Sequence, residues 1–225
     1  GQLVPGSQAG FKKEIKHLIT YQRHQLDKFG VHCHLSHIVT PEEIQQLNPD
    51  AIVLATGAVP LMPPVPGIDS HKVISFEAMP DASRREFQKN VVIGGGPTGC
   101  EIALHLAETG CDVTLVEMLP DIAIQLESIT RKVMLIKMKE AHVTLLPEHR
   151  LAEIDDHGVV LHDRDGVIKR IDADRIIIAV GTIPDSRLYN RIKSLGYETH
   201  RIGDCLEARS AKAAIYEAAR LGREL

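Results

Sequence analysis

Tryptophan is absent from the 225-residue chain, and aromatic residues make up only 4% of it. So few rings cannot build the stacking platforms on which single-stranded nucleic acids are held. The 26 Lys and Arg never gather into a run, and against 30 Asp and Glu they leave a formal net charge of −4. No basic footprint for a nucleic-acid backbone is present. Long apolar stretches are missing too: the runs at 50–55 and 175–180 are strand-sized, far short of the ~20 residues of a membrane span. The opening Gly1-Gln-Leu-Val-Pro5 carries neither the basic region nor the apolar core of a secretory leader, and a soluble cytoplasmic protein is expected. Cysteine is scarce and dispersed. Cys33, Cys100, Cys111 and Cys205 form no C-x-x-C pair, which removes the dithiol redox motif and the common zinc and iron–sulfur spacings. Reduced, buried thiols are expected instead.

What remains is ordinary globular material, 44% hydrophobic and 25% charged, enough for one large α/β domain or two small ones. Phe11, Ile15, Leu18, Ile19, Leu26 and Phe29 recur at helical spacing before a stop at Gly30. The alternation Val31-His-Cys-His-Leu35 suits a short strand. Thr40-Pro-Glu-Glu43 reads as a capped helix start. A β-branched run at 50–55 ends at Thr56-Gly57, and the prolines 60, 63, 64 and 66 mark a linker with a domain edge by about residue 83. A second αβ block follows: a strand at 91–93, a helix at 98–109, a strand at 112–117 and a helix near 129–141. Asp155-Asp-His-Gly158 and Asp163-Arg-Asp-Gly166 read as hairpin turns with Gly at positive φ, giving a β-meander inserted into an α/β unit. A buried strand at 175–180 ends at Gly181, and 204–225 reads as helix with Ala213, Ile215, Ala218 and Leu221 on one face.

The strongest chemical signal is Gly94-Gly-Gly96-Pro-Thr-Gly99, placed directly after an apolar strand and opening a helix. In that context G-x-G-x-x-G is a dinucleotide fingerprint. Gly94 permits the tight turn, Gly96 lets a pyrophosphate approach the backbone, and Gly99 lets helix and strand pack closely. Pro97 and Thr98 open a helix whose free N–H groups and positive dipole end face the phosphates. Glu117 closes the next strand, 23 residues after Gly94, where a carboxylate accepts from the adenine ribose hydroxyls and repels a 2′-phosphate. No Lys or Arg lies between Met118 and Leu126. NAD(H) is favoured over NADP(H).

These residues carry a resemblance. The stretch from Val91 to Pro120 looks like the NADH-binding domain of flavoproteins with two dinucleotide-binding domains. Gly1-Gln-Leu3, Val39-Thr-Pro41, Pro49-Asp-Ala-Ile-Val-Leu-Ala-Thr-Gly-Ala58, Pro66-Gly-Ile68, Glu117-Met-Leu-Pro120 and Ile202-Gly-Asp-Cys205 extend it over nearly the whole chain. Together they resemble the C-terminal region of old-yellow-enzyme-like NADH:flavin oxidoreductases, the family of 2,4-dienoyl-CoA reductase, 2-enoate reductase and trimethylamine dehydrogenase. The resemblance implies a Rossmann-like NAD(H) domain at 84–181, with a β-meander, inserted in an incomplete FAD-type doubly wound domain made of 1–83 and 182–225. It implies that Thr56 and Gly57 lie against FAD, that Gly203 and Asp204 face the ribityl hydroxyls, and that Val180 and Gly181 border the nicotinamide nucleotide. Glu101 is either on the nicotinamide side or a solvated glutamate in a first helical turn.

The relatives carry an earlier glycine-rich unit for the ADP half of FAD, an FMN barrel and iron–sulfur cysteines, none of which is in this chain. A piece of a longer enzyme is therefore expected, partnered by that remainder, or by a second copy through sheet edges left unpaired. Its function is to position NADH for reduction of FAD in the parent enzyme; a passive ADP-binding module, as the resemblance to trimethylamine dehydrogenase also allows, is the alternative. The chemistry belongs to the cofactors and no catalytic side chain is expected. Lesser signals carry little. His32, His34 and His37 alternate on the expected strand but lack a partner ligand, so a solvated face is preferred to a metal site. Tyr189 and Lys193 match Y-x-x-x-K out of its proper context, and Asp155-Asp156 are turn formers before they are an acid/base pair.

Overall fold

The computed structural model describes residues 2–7, 12, 14–78 and 88–225. Phe11 and the domain edge expected near residue 83 lie outside them. In chain order the elements are α1 (Leu3–Gly6), α2 (Ile15–Lys28), α3 (Pro41–Leu47), β1 (Ala51–Leu54), β2 (Ala58–Pro60), β3 (Val73–Ser75), β4 (Lys89–Ile93), α4 (Pro97–Glu108), β5 (Asp112–Val116), α5 (Ser128–Glu140) and β6 (Thr144–Leu146). There follow β7 (His149–Ile154), β8 (Gly158–Asp163), β9 (Ile168–Asp172), β10 (Arg175–Ile178), β11 (Thr182–Pro184), α6 (Arg187–Ile192), β12 (Glu198–Arg201) and α7 (Ala211–Leu221). By internal packing the chain forms two units, one of residues 20–59 and 182–225, the other of residues 2–19 and 60–181.

The larger unit is built on a five-stranded parallel sheet in the order β3-β10-β4-β5-β6. Its inner strands are apolar on both faces because both are covered. Val92, Val113, Leu115 and Ile177 pack with Ile102, Ala103 and Leu106 of α4 and with Met134 and Met138 of α5. Their alternating neighbours Val91, Ile93, Val116, Ile176 and Ile178 meet Leu151, Ile154, Val159 and Leu161 of the antiparallel β7-β8-β9 meander. Three layers result, helices on one side of the sheet and the meander on the other. Each fully buried Val, Leu or Ile contributes about 1.5–3 kcal/mol, so these strands dominate the unit's stability.

The smaller unit holds a two-stranded parallel sheet, β1 against β12, and a modest core of Ile44, Leu54, Ile192 and Cys205. Its α3 is started by a complete capping box: Thr40 accepts from the Glu43 N–H while the Glu43 carboxylate accepts from the Thr40 N–H.

Several local expectations are corrected. Residues 31–35 form no strand, and Leu35 is 83% exposed; with no strand paired to them among the described residues, alternation alone does not make one. The helical face of Ile15, Leu18, Ile19 and Leu26 exists on α2, yet no residue of that helix is buried. The C-terminal helix is confined to Ala211–Leu221, and of its expected face only Leu221 is buried. Gly166 has the expected positive φ of 81°, but Gly158 does not. Gly158 is required for a different reason: a Cβ there would lie 2.1 Å from the Ile171 carbonyl oxygen on β9. Among the described residues no helix is long and apolar enough to cross a membrane.

Candidate nucleotide site

Three neighbouring parallel strands, β10, β4 and β5, end side by side in the larger unit. Their carboxyl ends carry 179–181, the glycine turn 94–99 and Glu117, so the residues singled out from spacing are brought together at one sheet end. Crevices at the carboxyl ends of parallel strands are where open α/β sheets hold ligands.

Each glycine of the turn has a separate reason. Gly94 has φ 112°, and a Cβ on it would meet the Ala179 carbonyl oxygen at 2.3 Å. This is the close approach that brings the strand-β10 exit against the turn. A Cβ on Gly99 would lie 1.8 Å from the Gly94 carbonyl oxygen, so helix α4 can sit on the turn only without a side chain there. Gly95, formally the free position of the motif, is equally constrained, because a Cβ would fall 2.8 Å from Glu117 Cβ and 3.0 Å from Ile122 Cδ1. Spacing alone gave no sign of that. Gly96 is the N-cap of α4, with no side-chain cap, and Pro97 takes the first helical position. The N–H groups of the first turn are thus turned outward at the positive end of the helix. The fit to a diphosphate rests on Gly96: the space where its Cβ would stand meets no backbone, and the three nearest atoms all belong to the Gln125 amide, at 3.5 to 4.0 Å.

Glu117 is buried, at 9% exposure. Its Oε2 accepts from the Gly95 N–H at 2.7 Å and its Oε1 from the Leu119 N–H at 2.8 Å. The carboxylate therefore holds the glycine turn against the end of β5, a role its spacing did not reveal. Two ionised oxygens carry about four lone-pair sites, so two remain for sugar hydroxyls. The nearest downstream guanidinium, Arg131, is committed: Nε donates to the Ile122 carbonyl at 2.8 Å, and the Asp121 carboxylate lies 2.9 Å from its outer nitrogen. Glu101, in the second turn of α4, is neither free nor fully solvated, since Lys12 Nζ lies 2.5 Å from its Oε1. Cys100, beside it, is fully buried, and burial pushes its thiol up to about 12, with the carboxylates of Glu101 and Glu117 adding to the shift. It is no nucleophile.

The other four predicted residues gather in the smaller unit, at the carboxyl ends of the adjacent strands β1 and β12. The Thr56 hydroxyl donates to the Asp185 carbonyl at 2.8 Å, and Gly57 has φ 76° with nothing within 4 Å of a Cβ. Gly203 has φ 63°, its N–H donating to Glu217 at 2.7 Å. Asp204 accepts from the Arg209 N–H at 3.1 Å, and the residue is half-buried. These residues fit polyol hydroxyls, but no second glycine-rich diphosphate turn accompanies them in the sequence.

The remaining candidates disperse. His37 pairs with Glu43 at 2.9 Å, and the described residues hold no cluster of three metal-ligating side chains. Tyr189 packs in the small core under the Arg201 guanidinium, 4.4 Å from its ring centroid. Asp155 accepts from the His157 and Gly158 N–H groups, at 2.8 and 2.9 Å, as a turn former does.

The profile of the pyridine nucleotide-disulphide oxidoreductases matches residues 7–209. The chain belongs to that family. FAD and NAD(P)H are the cofactors this membership implies. Among curated relatives, a protein of Thermoanaerobacter brockii named NADH oxidase is 34% identical over 209 residues, covering 91% of this chain and 32% of its own length. A bilirubin reductase of Mediterraneibacter gnavus is 30% identical over 213 residues, covering 92% of this chain and 32% of its own. Among solved structures, a 2-naphthoyl-CoA reductase complex superposes on all of this chain and 34% of that one, with a TM-score of 0.93 at 26% identity. The chain thus spans about a third of the length of these two curated relatives. Despite the family's name, all four cysteines here are free thiols.

Proposed function

We propose that this chain is the nucleotide-binding part of an NADH:flavin oxidoreductase of the old-yellow-enzyme-like kind, positioning NADH to reduce FAD within a longer polypeptide. The observation that carries it is the convergence at one sheet end of a Gly96 faced by a side-chain amide and not by backbone, an uncapped helix start and a buried carboxylate with lone pairs to spare. The helix start and glycine turn hold the diphosphate, Glu117 holds the adenine ribose, and 180–181 border the nicotinamide end. Thr56, Gly57, Gly203 and Asp204 hold the flavin's polyol. Bound NADH and FAD supply the hydride chemistry; the chain supplies orientation and exclusion of water. The partners are the remainder of the parent polypeptide and, through sheet edges, a second copy.

Calorimetric titration with NADH, NADPH and ADP tests the nucleotide assignment. NADH and ADP should bind, with NADPH at least tenfold weaker, because the Glu117 carboxylate repels a 2′-phosphate and Arg131 is not free to offset it. Since Glu117 also ties down the turn, Glu117→Ala lowers every affinity, and the informative quantity is the NADH/NADPH ratio, which should fall towards one. A ratio unchanged in Glu117→Ala removes the basis for choosing NADH. Dye reduction by NADH with added FAD, in the full-length polypeptide, tests electron entry; tight ADP binding without turnover there supports the passive module instead.

A further inference from the structure

The segment between β5 and α5 is held against the glycine turn by its own bonds. The Ala123 N–H donates to the Gly95 carbonyl at 2.7 Å, the Leu126 N–H returns to the Ala123 carbonyl at 3.0 Å, and Ile122 and Ala123 are buried at 4% and 1% exposure. Arg131 clamps the Ile122 carbonyl and Asp121 from α5. Ala123 has φ 58°, the left-handed region that a residue with a Cβ enters only when its surroundings force it. That turn brings Gln125, two residues on, over Gly96. The amide head lies with Oε1 3.5 Å and Nε2 4.0 Å from where a Gly96 Cβ would stand, while the side chain itself is exposed.

We infer that Gln125 is a binding residue for the dinucleotide's diphosphate, its amide closing over the anion at Gly96. This rests on the nucleotide reading of the glycine turn given above. The backbone amides of α4 leave other diphosphate oxygens unpaired, and a neutral donor beside Gly96 is placed to take one of them. An amide suits that place: its NH2 donates to phosphate oxygens, and rotation about its broad terminal torsion exchanges the oxygen for the NH2 at little strain. A carboxylate at 125 would oppose the anion.

The test is titration of the purified protein, and of Gln125→Ala and Gln125→Glu, with ADP, NADH and NADPH, alongside the melting temperature without ligand. Gln125 is exposed, so both variants should melt within a degree or two of the parent. Gln125→Ala should weaken ADP and NADH alike by about tenfold, as loss of one hydrogen bond to a charged group does. Gln125→Glu should weaken them further. The NADH/NADPH ratio should stay within twofold in both, because the Glu117 end is untouched; a ratio that moves shows general loss of the loop and overturns the assignment. Equal or tighter ADP binding by Gln125→Ala, with the parent protein binding normally, also overturns it and leaves the nucleotide reading intact. Failure of the parent protein to bind any of the three overturns both.

Discussion

At the scale of single residues, the site separates groups that look alike on paper. Glu101 and Glu117 flank the same turn, yet one pairs with Lys12 near the surface and the other is buried against backbone N–H groups. The cysteines separate in the same way. Cys100 and Cys205 are buried, each with its Sγ near a backbone carbonyl, Gly95 at 3.4 Å and Leu54 at 3.1 Å, whereas Cys33 is exposed and Cys111 half-buried. Only a thiolate attacks a disulfide reagent, and only where the reagent can reach it. With a thiol pushed up to about 12, Cys100 should stay silent in the native protein. An aromatic disulfide reagent at pH 8 should therefore titrate Cys33 at once, Cys111 slowly and the other two only after denaturation. Rapid native labelling of Cys100, located by mass spectrometry, would contradict the burial on which its inert role depends.

At the scale of elements, helix starts carry much of the site's order, and α5 shows how. Its N-cap is a glutamate: Glu127 Oε2 accepts from the Ile129 and Thr130 N–H groups at 3.1 and 3.2 Å. Those backbone bonds hold the Glu127 carboxyl below its ordinary value of 4.5. A lowered folded-state value means that the stabilisation is present above the ordinary value and is lost as pH falls through the lowered one. Glu127→Ala should therefore lower the melting temperature at pH 7, with the gap to the parent protein narrowing as pH falls below 4.5 and through the lowered folded-state value. A gap independent of pH would show that the carboxylate's charge is not what caps the helix. How far such elements can be read in advance depends on what stabilises them. The β4–turn–α4–β5 run was legible, together with the convergence on Gly94, Gly96, Gly99 and Glu117, because a buried strand, a positive φ and a close approach each demand particular residue types. The strand partners were not. β12, with the sequence Glu-Thr-His-Arg, exists through pairing with β1 and carries no apolar signature, while the alternating residues 31–35 have no strand paired to them among the described residues and stay irregular. Gln125 was equally invisible, since its place follows from a left-handed Ala123 that no local pattern announces.

At the scale of the whole molecule, stability must be unevenly shared, because the two units differ in how much they bury. The larger encloses its central strands between two apolar layers, with Val92, Leu115, Ile176 and Ile177 all at 0% exposure. The smaller has a core cluster of Ile44, Leu54, Ile192 and Cys205, and its strands pair only in twos, β1 with β12 and β2 with β11. Parallel pairs are usually found covered on both faces within larger sheets, and Val53 in β1 is instead 43% exposed. Local opening follows the same accounting of buried contacts and protected backbone bonds. Native-state hydrogen exchange should accordingly find the amides of β4, β5 and β10 exchanging about 100-fold or more slowly than those of β1 and β12. Saturating NADH sharpens the contrast, because a ligand stabilises the states that bind it, by about 2.7 kcal/mol at one hundred times its Kd. Protection should then rise along β4, the start of α4 and the segment 117–127, while β1 and β12 stay as they were. Equal protection of β1 and β4 without nucleotide would mean that the small sheet draws stability from outside its own core, and a rise along β1 and β12 with NADH would mean that the bound nucleotide reaches beyond the strands that carry the glycine turn.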